Sequence, residues 1–171
     1  VPGVVNTIYA TPLPALLKAS GYYTIHCGKA HFGAMGTPAA DPTTLGFDIN
    51  IAGHAAGGLG SYLGEENYGN KKGEHTKPWG VPGLEKYHGS DVFLTEALTR
   101  EALKALDVPI KKNKPFFLYM SHYAVHIPYA PDRRFVQKYL DDGLSQKESE
   151  YAALVEGMDK SLGDIMDYLQ E

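Results

Sequence analysis

The chain is 171 residues and 18.7 kDa, long enough for one domain with a hydrophobic core and too short for two comfortable ones. Lys and Arg number 16 against 20 Asp and Glu, a formal charge of −4 that lacks the basic excess phosphate-backbone binding needs, so no nucleic-acid partner is expected. Hydrophobic residues at 43%, with 12 Tyr, exclude ordinary disorder, and the single cysteine, Cys27, excludes a disulfide framework and every multi-cysteine zinc site.

The charge-free opening Val1–Leu17 contains Pro2, Pro12 and Pro14 and no basic n-region. It reads as neither a signal peptide nor a membrane helix, and no membrane partner is expected. The chain begins at Val1 without Met, as a processed chain or a piece of a longer one does. Residues 1–64 carry only Lys18, Lys29, Asp41 and Asp48, whereas 65–171 carry the other 32 charged residues. So bare a first third reads as strands covered on both faces inside a larger sheet, or else as an uncharged Gly-rich surface.

The stretch Thr11–Gly21 carries an N-cap Thr, Pro at the first helical position and Gly just past the end, which predicts a helix over 11–20. The β-branched and aromatic run at 22–27 predicts a strand, with Cys27 a buried, inert thiol. From Ala34 to Gly89 glycines and prolines are dense and periodicity is absent, with Gly-Gly-Leu-Gly at 57–60 and Lys-Lys-Gly at 71–73; this segment, 34–89, is expected to be an irregular substrate-side insertion. Ser90 opens a helical face through Phe93, Leu94, Ala97, Leu98, Ala102, Leu103 and Leu106 (90–107), and 116–121 reads as a buried strand. Ser145-Gln-Lys-Glu148 has capping-box spacing ahead of an apolar stripe, Tyr151, Leu154, Val155, Met158, Leu162, Ile165, Met166 and Leu169, so 145–170 is expected to pack on a core as a helix. Helix followed by strand, twice, predicts an α/β fold with a central, mostly parallel sheet flanked by helices.

Two reactive clusters then fall just beyond strand ends, where open α/β sheets place ligands: Gly28-Lys-Ala-His-Phe-Gly33 and Ser121-His-Tyr-Ala-Val-His-Ile-Pro128. A P-loop fails at Tyr23 and Ala30, and a dinucleotide fingerprint fails at Leu63. His122 and His126 have the spacing of a helical zinc pair, but Tyr123 stands where the catalytic Glu belongs and the segment follows a strand, so no metal ligand is assigned. Taken alone, Lys29 and His31 read either as exposed turn residues or as a fixed cation and a proton carrier for an oxyanion. His126, held extended by Pro128, reads as a structural histidine, a hydrogen-bond donor or a general acid.

Three blocks, Leu17-Lys-Ala-Ser-Gly-Tyr-Tyr-Thr-Ile-His-Cys-Gly-Lys-Ala-His-Phe-Gly33, Pro115-Phe-Phe-Leu-Tyr-Met-Ser-His-Tyr-Ala-Val-His-Ile-Pro128 and Tyr151-Ala-Ala-Leu-Val-Glu-Gly-Met-Asp-Lys-Ser-Leu-Gly163, resemble in order the conserved blocks of sulfatases in the alkaline-phosphatase superfamily. Gly46-Phe-Asp-Ile-Asn-Ile-Ala-Gly53 is similar to a bacterial branch of that family. The resemblance implies an arylsulfatase-like sulfuric ester hydrolase, with 1–171 the middle of one catalytic domain. It implies calcium and a formylglycine nucleophile made from Cys or Ser in a C/S-x-P-x-R motif. That motif and the metal-holding acidic pairs have no counterpart here, so both groups are expected outside this chain, and the nucleophile is not transferred to Cys27.

By resemblance Lys29 neutralises charge on sulfate and nucleophile oxygens, His31 takes the proton when the sulfated intermediate breaks down, and His126 contacts sulfate and assists departure of the alcohol. The three are expected to face one cleft, with His54, His122 and the loop at Gly57 and Gly58 lining its mouth and contacting the sugar; for His54 and His122 a structural role is the alternative. The implied substrate is a sulfated carbohydrate or aryl sulfate, in an extracytoplasmic (periplasmic or secreted) setting, and the fragment alone is expected to be inactive. Two rival readings are a phosphate-ester hydrolase of the same superfamily and a non-catalytic module that binds sulfated glycans or oxyanions.

Overall fold

A computed structural model describes residues 10–69 and 78–171. Most of the opening stretch, residues 1–9, and the Lys-Lys-Gly at 71–73 lie outside the described residues. Two compact units emerge, one formed by the chain up to Gly57 together with Arg100–Ser121, the other by Gly58–Thr99 and His122–Glu171. The segment 34–89 is divided between them.

The first unit holds helix α1 (Leu13–Ala19) and strands β1 (Tyr23–Gly28), β2 (Ile49–Ile51) and β3 (Phe116–Ser121). Thr11 is not the cap of α1. Pro12 occupies that position with no side-chain bond, because extended proline geometry presets the entry and Pro14, in the first turn, has no N–H to satisfy. The exit is as predicted: Gly21 at φ +92° lets its own N–H reach the Lys18 carbonyl and the Tyr22 N–H reach that of Leu17, and the chain passes directly into β1.

The three strands are parallel in the order β2-β1-β3. β1 pairs with β3 from Tyr23–Phe116 to Gly28–Ser121, so the predicted parallel neighbours are found and both end at the same edge. β3 is less covered than expected, with Tyr119 at 41% exposure.

β2 was hidden in the irregular stretch, and the Gly46–Gly53 motif is what docks it on β1. A Cβ on Gly46 (φ +102°) would sit 2.4 Å from the Ala15 backbone, so glycine lets the chain cross α1. Asp48 accepts from the Thr24 N–H and hydroxyl at 2.9 and 3.1 Å and pairs with Lys18 at 2.8 Å. Asn50 Oδ1 accepts from His26 Nδ1 at 3.0 Å and from the Gly53 N–H at 3.1 Å. On the other face of β1, Ile25 and Cys27 are fully buried. Burial, assisted by the Glu101 carboxylate, pushes the Cys27 thiol well above its ordinary pKa, so it stays protonated and unreactive.

Helix α2 (Leu94–Lys111) runs from the second unit into the first. It buries Leu94, Ala97, Leu98, Ala102 and Leu106 as the spacing predicts. It starts later than Ser90, whose hydroxyl instead donates to the Tyr87 carbonyl in the preceding turn. The second unit also contains α3 (Val136–Asp141) and α4 (Gln146–Gln170).

The capping box at Ser145 and Glu148 is present, but of the apolar stripe only Leu154 and Ile165 are buried on the packed face of α4. Buried positions are Ser149, Ala153, Leu154, Gly157, Ser161 and Ile165, while Tyr151, Val155, Leu162, Met166 and Leu169 are exposed. Residues 149, 153, 157, 161 and 165 repeat every four positions, a row of mostly small side chains along which neighbouring chain approaches closely. Asp132, for instance, comes within 3.4 Å of where a Gly157 Cβ would be. No helix among the described residues is long and apolar enough to cross a membrane.

Candidate active site

In the first unit the turn after β1 carries Lys29 and His31. The Lys29 N–H continues the sheet ladder to the Ser121 carbonyl at 2.7 Å, fixing where its side chain leaves the strand end. His31 has φ +58°, a left-handed conformation uncommon for a residue with a Cβ, and its N–H donates to the His54 carbonyl at 3.1 Å. The exposed imidazole lies over Gly57, where a Cβ would stand 2.7 Å from Cε1 and Nδ1. Among the described residues no hydrogen bond or ion pair engages the Lys29 ammonium or the His31 ring, so both groups are open to a ligand.

His54 is half-buried and its Nδ1 accepts from the Ala56 N–H at 3.3 Å. Its imidazole folds the loop that carries Gly57, and burial holds its pKa below the ordinary value.

The second unit carries His122 and His126. His122 Nε2 is hydrogen-bonded to Ser161 Oγ at 2.9 Å, and that hydroxyl also accepts from Thr99 at 2.7 Å, tying the start of the 122–128 segment to α4 and α2. Of its two expected roles, sugar contact and structure, this bonding favours structure; burial lowers its pKa.

His126 is held at every backbone polar atom. Its N–H donates to the Tyr123 carbonyl at 2.9 Å and its own carbonyl accepts from the Tyr62 hydroxyl at 2.7 Å. Its Nδ1 lies 2.5 Å from the Ile127 carbonyl. A carbonyl only accepts, so Nδ1 carries the proton, and Nε2 is a lone pair when the ring is neutral and a donor when it is charged. The ring rests on Gly58, where a Cβ would stand 2.7 Å from Cε1.

Sequence reasoning expected Gly57 and Gly58 to contact the sugar; the structure shows each as the surface under an imidazole. It also missed His26 and Tyr62. His26 is fully buried on β1 with Phe32, Phe47 and Tyr119 rings 5.3–5.7 Å away, and the Asn and Gly of the Gly46–Gly53 motif were the signal for its partner.

Burial lowers the His26 pKa, outweighing the opposite pull of Asn50 and the Lys29 backbone. The folded state therefore holds His26 neutral where the unfolded chain binds a proton. Stability is full above the unfolded value of 6.5 and falls as pH drops from there through the lowered folded pKa. His54 and His122 act in the same direction. The thermal midpoint is expected to be lower at about pH 5 than at about pH 7.5, with a shallower slope in His26→Gln; a midpoint independent of pH contradicts this.

Among the described residues no group of three or more His, Cys, Asp or Glu converges as a metal cradle. Calcium takes six or more oxygen ligands, usually including carboxylates, so these residues do not fit a calcium site.

A parallel sheet that delivers a cation and an imidazole to the carboxyl end of its central strand is the ligand-binding arrangement of open α/β proteins. Within that class the family is specific: the sulfatase family profile matches residues 5–171, and the chain belongs to the sulfatase family. It is 27% identical to a sulfatase of Formosa agariphila, over 91% of this chain and 33% of that protein. It is 29% identical to the N-acetylgalactosamine-6-sulfatase of Mus musculus, over 92% of this chain and 29% of that one. Among solved structures it is similar to Ps i-CgsB in complex with k-i-k-neocarrahexaose, with a TM-score of 0.73 and 25% identity over 99% of this chain and 39% of that one. The chain spans about a third of the length of the curated relatives it matches.

Proposed function

We propose that this chain is the middle portion of the catalytic domain of a sulfuric ester hydrolase that removes sulfate from a sulfated carbohydrate. The single observation that carries the reading is the turn after β1. There the open ammonium of Lys29 and imidazole of His31 leave a strand end whose backbone is bonded to Ser121 and His54. Sulfuryl transfer places charge on peripheral and leaving oxygens, and fixed cationic donors stabilise it. In this reading Lys29 neutralises sulfate oxygens, His31 accepts the proton released as the ester is turned over, and His126 Nε2 donates to sulfate and to the departing alcohol.

Within each unit a glycine lies beneath the imidazole, Gly57 under His31 and Gly58 under His126, which supports a working position for each ring. His54 and the 34–89 segment shape the alcohol side of the substrate. The carrahexaose bound to Ps i-CgsB supports a carbohydrate. The formylglycine nucleophile and the calcium implied by the family resemblance are assigned to other parts of the parent protein, since the described residues form no metal cradle. The setting is extracytoplasmic.

The test is sulfate release by the complete parent protein from a sulfated oligosaccharide, an aryl sulfate and an aryl phosphate, beside the 171-residue chain alone. Sulfate release by the parent and none by the chain is expected. Faster phosphate release favours the phosphatase alternative, and glycan binding without turnover favours a binding module. Turnover by the isolated chain that vanishes in Cys27→Ala overturns the assignment of the nucleophile to another segment.

A further inference from the structure

We infer that Tyr62 is a positioning residue for His126, an inference that rests on the catalytic reading of His126 proposed above. Tyr62 is fully buried and stacks on Phe93 with ring centroids 5.4 Å apart and planes 3° from parallel. That stacking leaves the phenol one direction in which to point. Its hydroxyl meets two carbonyls of the 122–128 segment, those of Tyr123 at 3.0 Å and His126 at 2.7 Å. A phenol has one proton to give, so the two carbonyls share it.

The same two residues are joined from within by the His126 N–H to the Tyr123 carbonyl. The turn is thus closed on one side by its own backbone and on the other by Tyr62. With Nδ1 committed to the Ile127 carbonyl, Nε2 is the one polar atom of His126 left to face a substrate. Gly58, four residues before Tyr62, lies under the ring, so the single segment 58–62 supplies both the surface for the imidazole and the clamp for its backbone. Burial raises the phenol's pKa, which keeps it a donor across the working pH range.

A positioning role and a merely structural one differ in which substrates suffer. A proton donor matters for a poor leaving group such as a sugar hydroxyl and little for nitrophenolate, which leaves unprotonated. In the complete enzyme, Tyr62→Phe keeps the ring on Phe93 and removes one O–H. Expected is a loss of about tenfold in kcat on a sulfated sugar, less than about twofold on nitrophenyl sulfate, and KM little changed. Added to His126→Ala, the substitution should cost nothing further on the sugar. Replacing Tyr62 with 4-aminophenylalanine, which retains a donor at the ring's end, should recover most of the sugar activity and covers the case in which the Phe variant folds poorly.

Equal losses on both substrates, or additivity with His126→Ala, overturn the inference. An unchanged Tyr62→Phe enzyme beside an impaired His126→Ala enzyme overturns it while leaving the role of His126 standing. An unchanged His126→Ala enzyme removes that role itself.

Discussion

Lys29→Ala and His31→Asn are each expected to lower kcat of the complete enzyme toward an aryl sulfate by about 10²- to 10⁴-fold, the range associated with a general base or a charge-stabilising donor. The choice of substitution follows from the backbone. His31 sits at φ +58°, where Asn is among the better tolerated residues and Ala is strained, so His31→Asn removes the titrating ring without disturbing the turn. Lys29 holds the sheet through its N–H, which Ala retains. Both variants should therefore keep the unfolding midpoint of the parent, and the loss is read as lost transition-state stabilisation. Lys29→Arg is not expected to rescue, because a planar guanidinium does not replace a compact ammonium at a fixed point. Activity within about fivefold of the parent in both variants would remove the turn after β1 from the chemistry.

What the sequence discloses depends on how local the signal is. The exit of α1 through Gly21, the pairing partners β1 and β3, and the capping box of α4 are written in contiguous residues, and the structure has all of them. β2 is three residues long, too short to show a period, and only its bonds to β1 reveal it. The stripe on α4 was right for Leu154 and Ile165 and misled elsewhere, because periodicity counts large apolar residues, whereas most of the packed positions are Ser149, Ala153, Gly157 and Ser161, whose value lies in what they lack.

The proposed site residues divide in the same way. Lys29, His31 and His126 are the ones their motifs single out. Tyr62 lies outside every motif, and its hydrogen bonds span sequence separations of 61 and 64 residues, which nothing in the local chain encodes. His26 looks, in sequence, like any strand residue.

Gly57→Ala and Gly58→Ala are expected to reduce kcat by roughly 10- to 100-fold while leaving stability nearly unchanged, because a displacement near 1 Å of a catalytic group is enough for that loss. Neither glycine has a left-handed backbone, so alanine is conformationally permitted at both, and the gain from a less flexible unfolded chain is about 0.4–1 kcal/mol. Opposing it is contact with a ring: the new methyl would lie 2.7 Å from His31 Cε1 in one case and from His126 Cε1 in the other. What yields is the far end of a side chain, and the imidazole must recede by about 0.7 Å or more to reach ordinary contact. For His31, whose ring is exposed with no hydrogen bond among the described residues, receding costs little energy. For His126 it strains the Nδ1 bond to Ile127, so Gly58→Ala should be the less stable of the two. The substrates should separate them as well. Moving His31 harms proton acceptance whatever alcohol is released, so Gly57→Ala slows aryl and sugar sulfates alike. Moving His126 Nε2 harms leaving-group protonation, so Gly58→Ala slows the sugar sulfate more. Paired kcat measurements on the two substrates, with thermal midpoints as the control, decide it: unchanged turnover in both variants would mean that the glycines do not hold the imidazoles in their working positions.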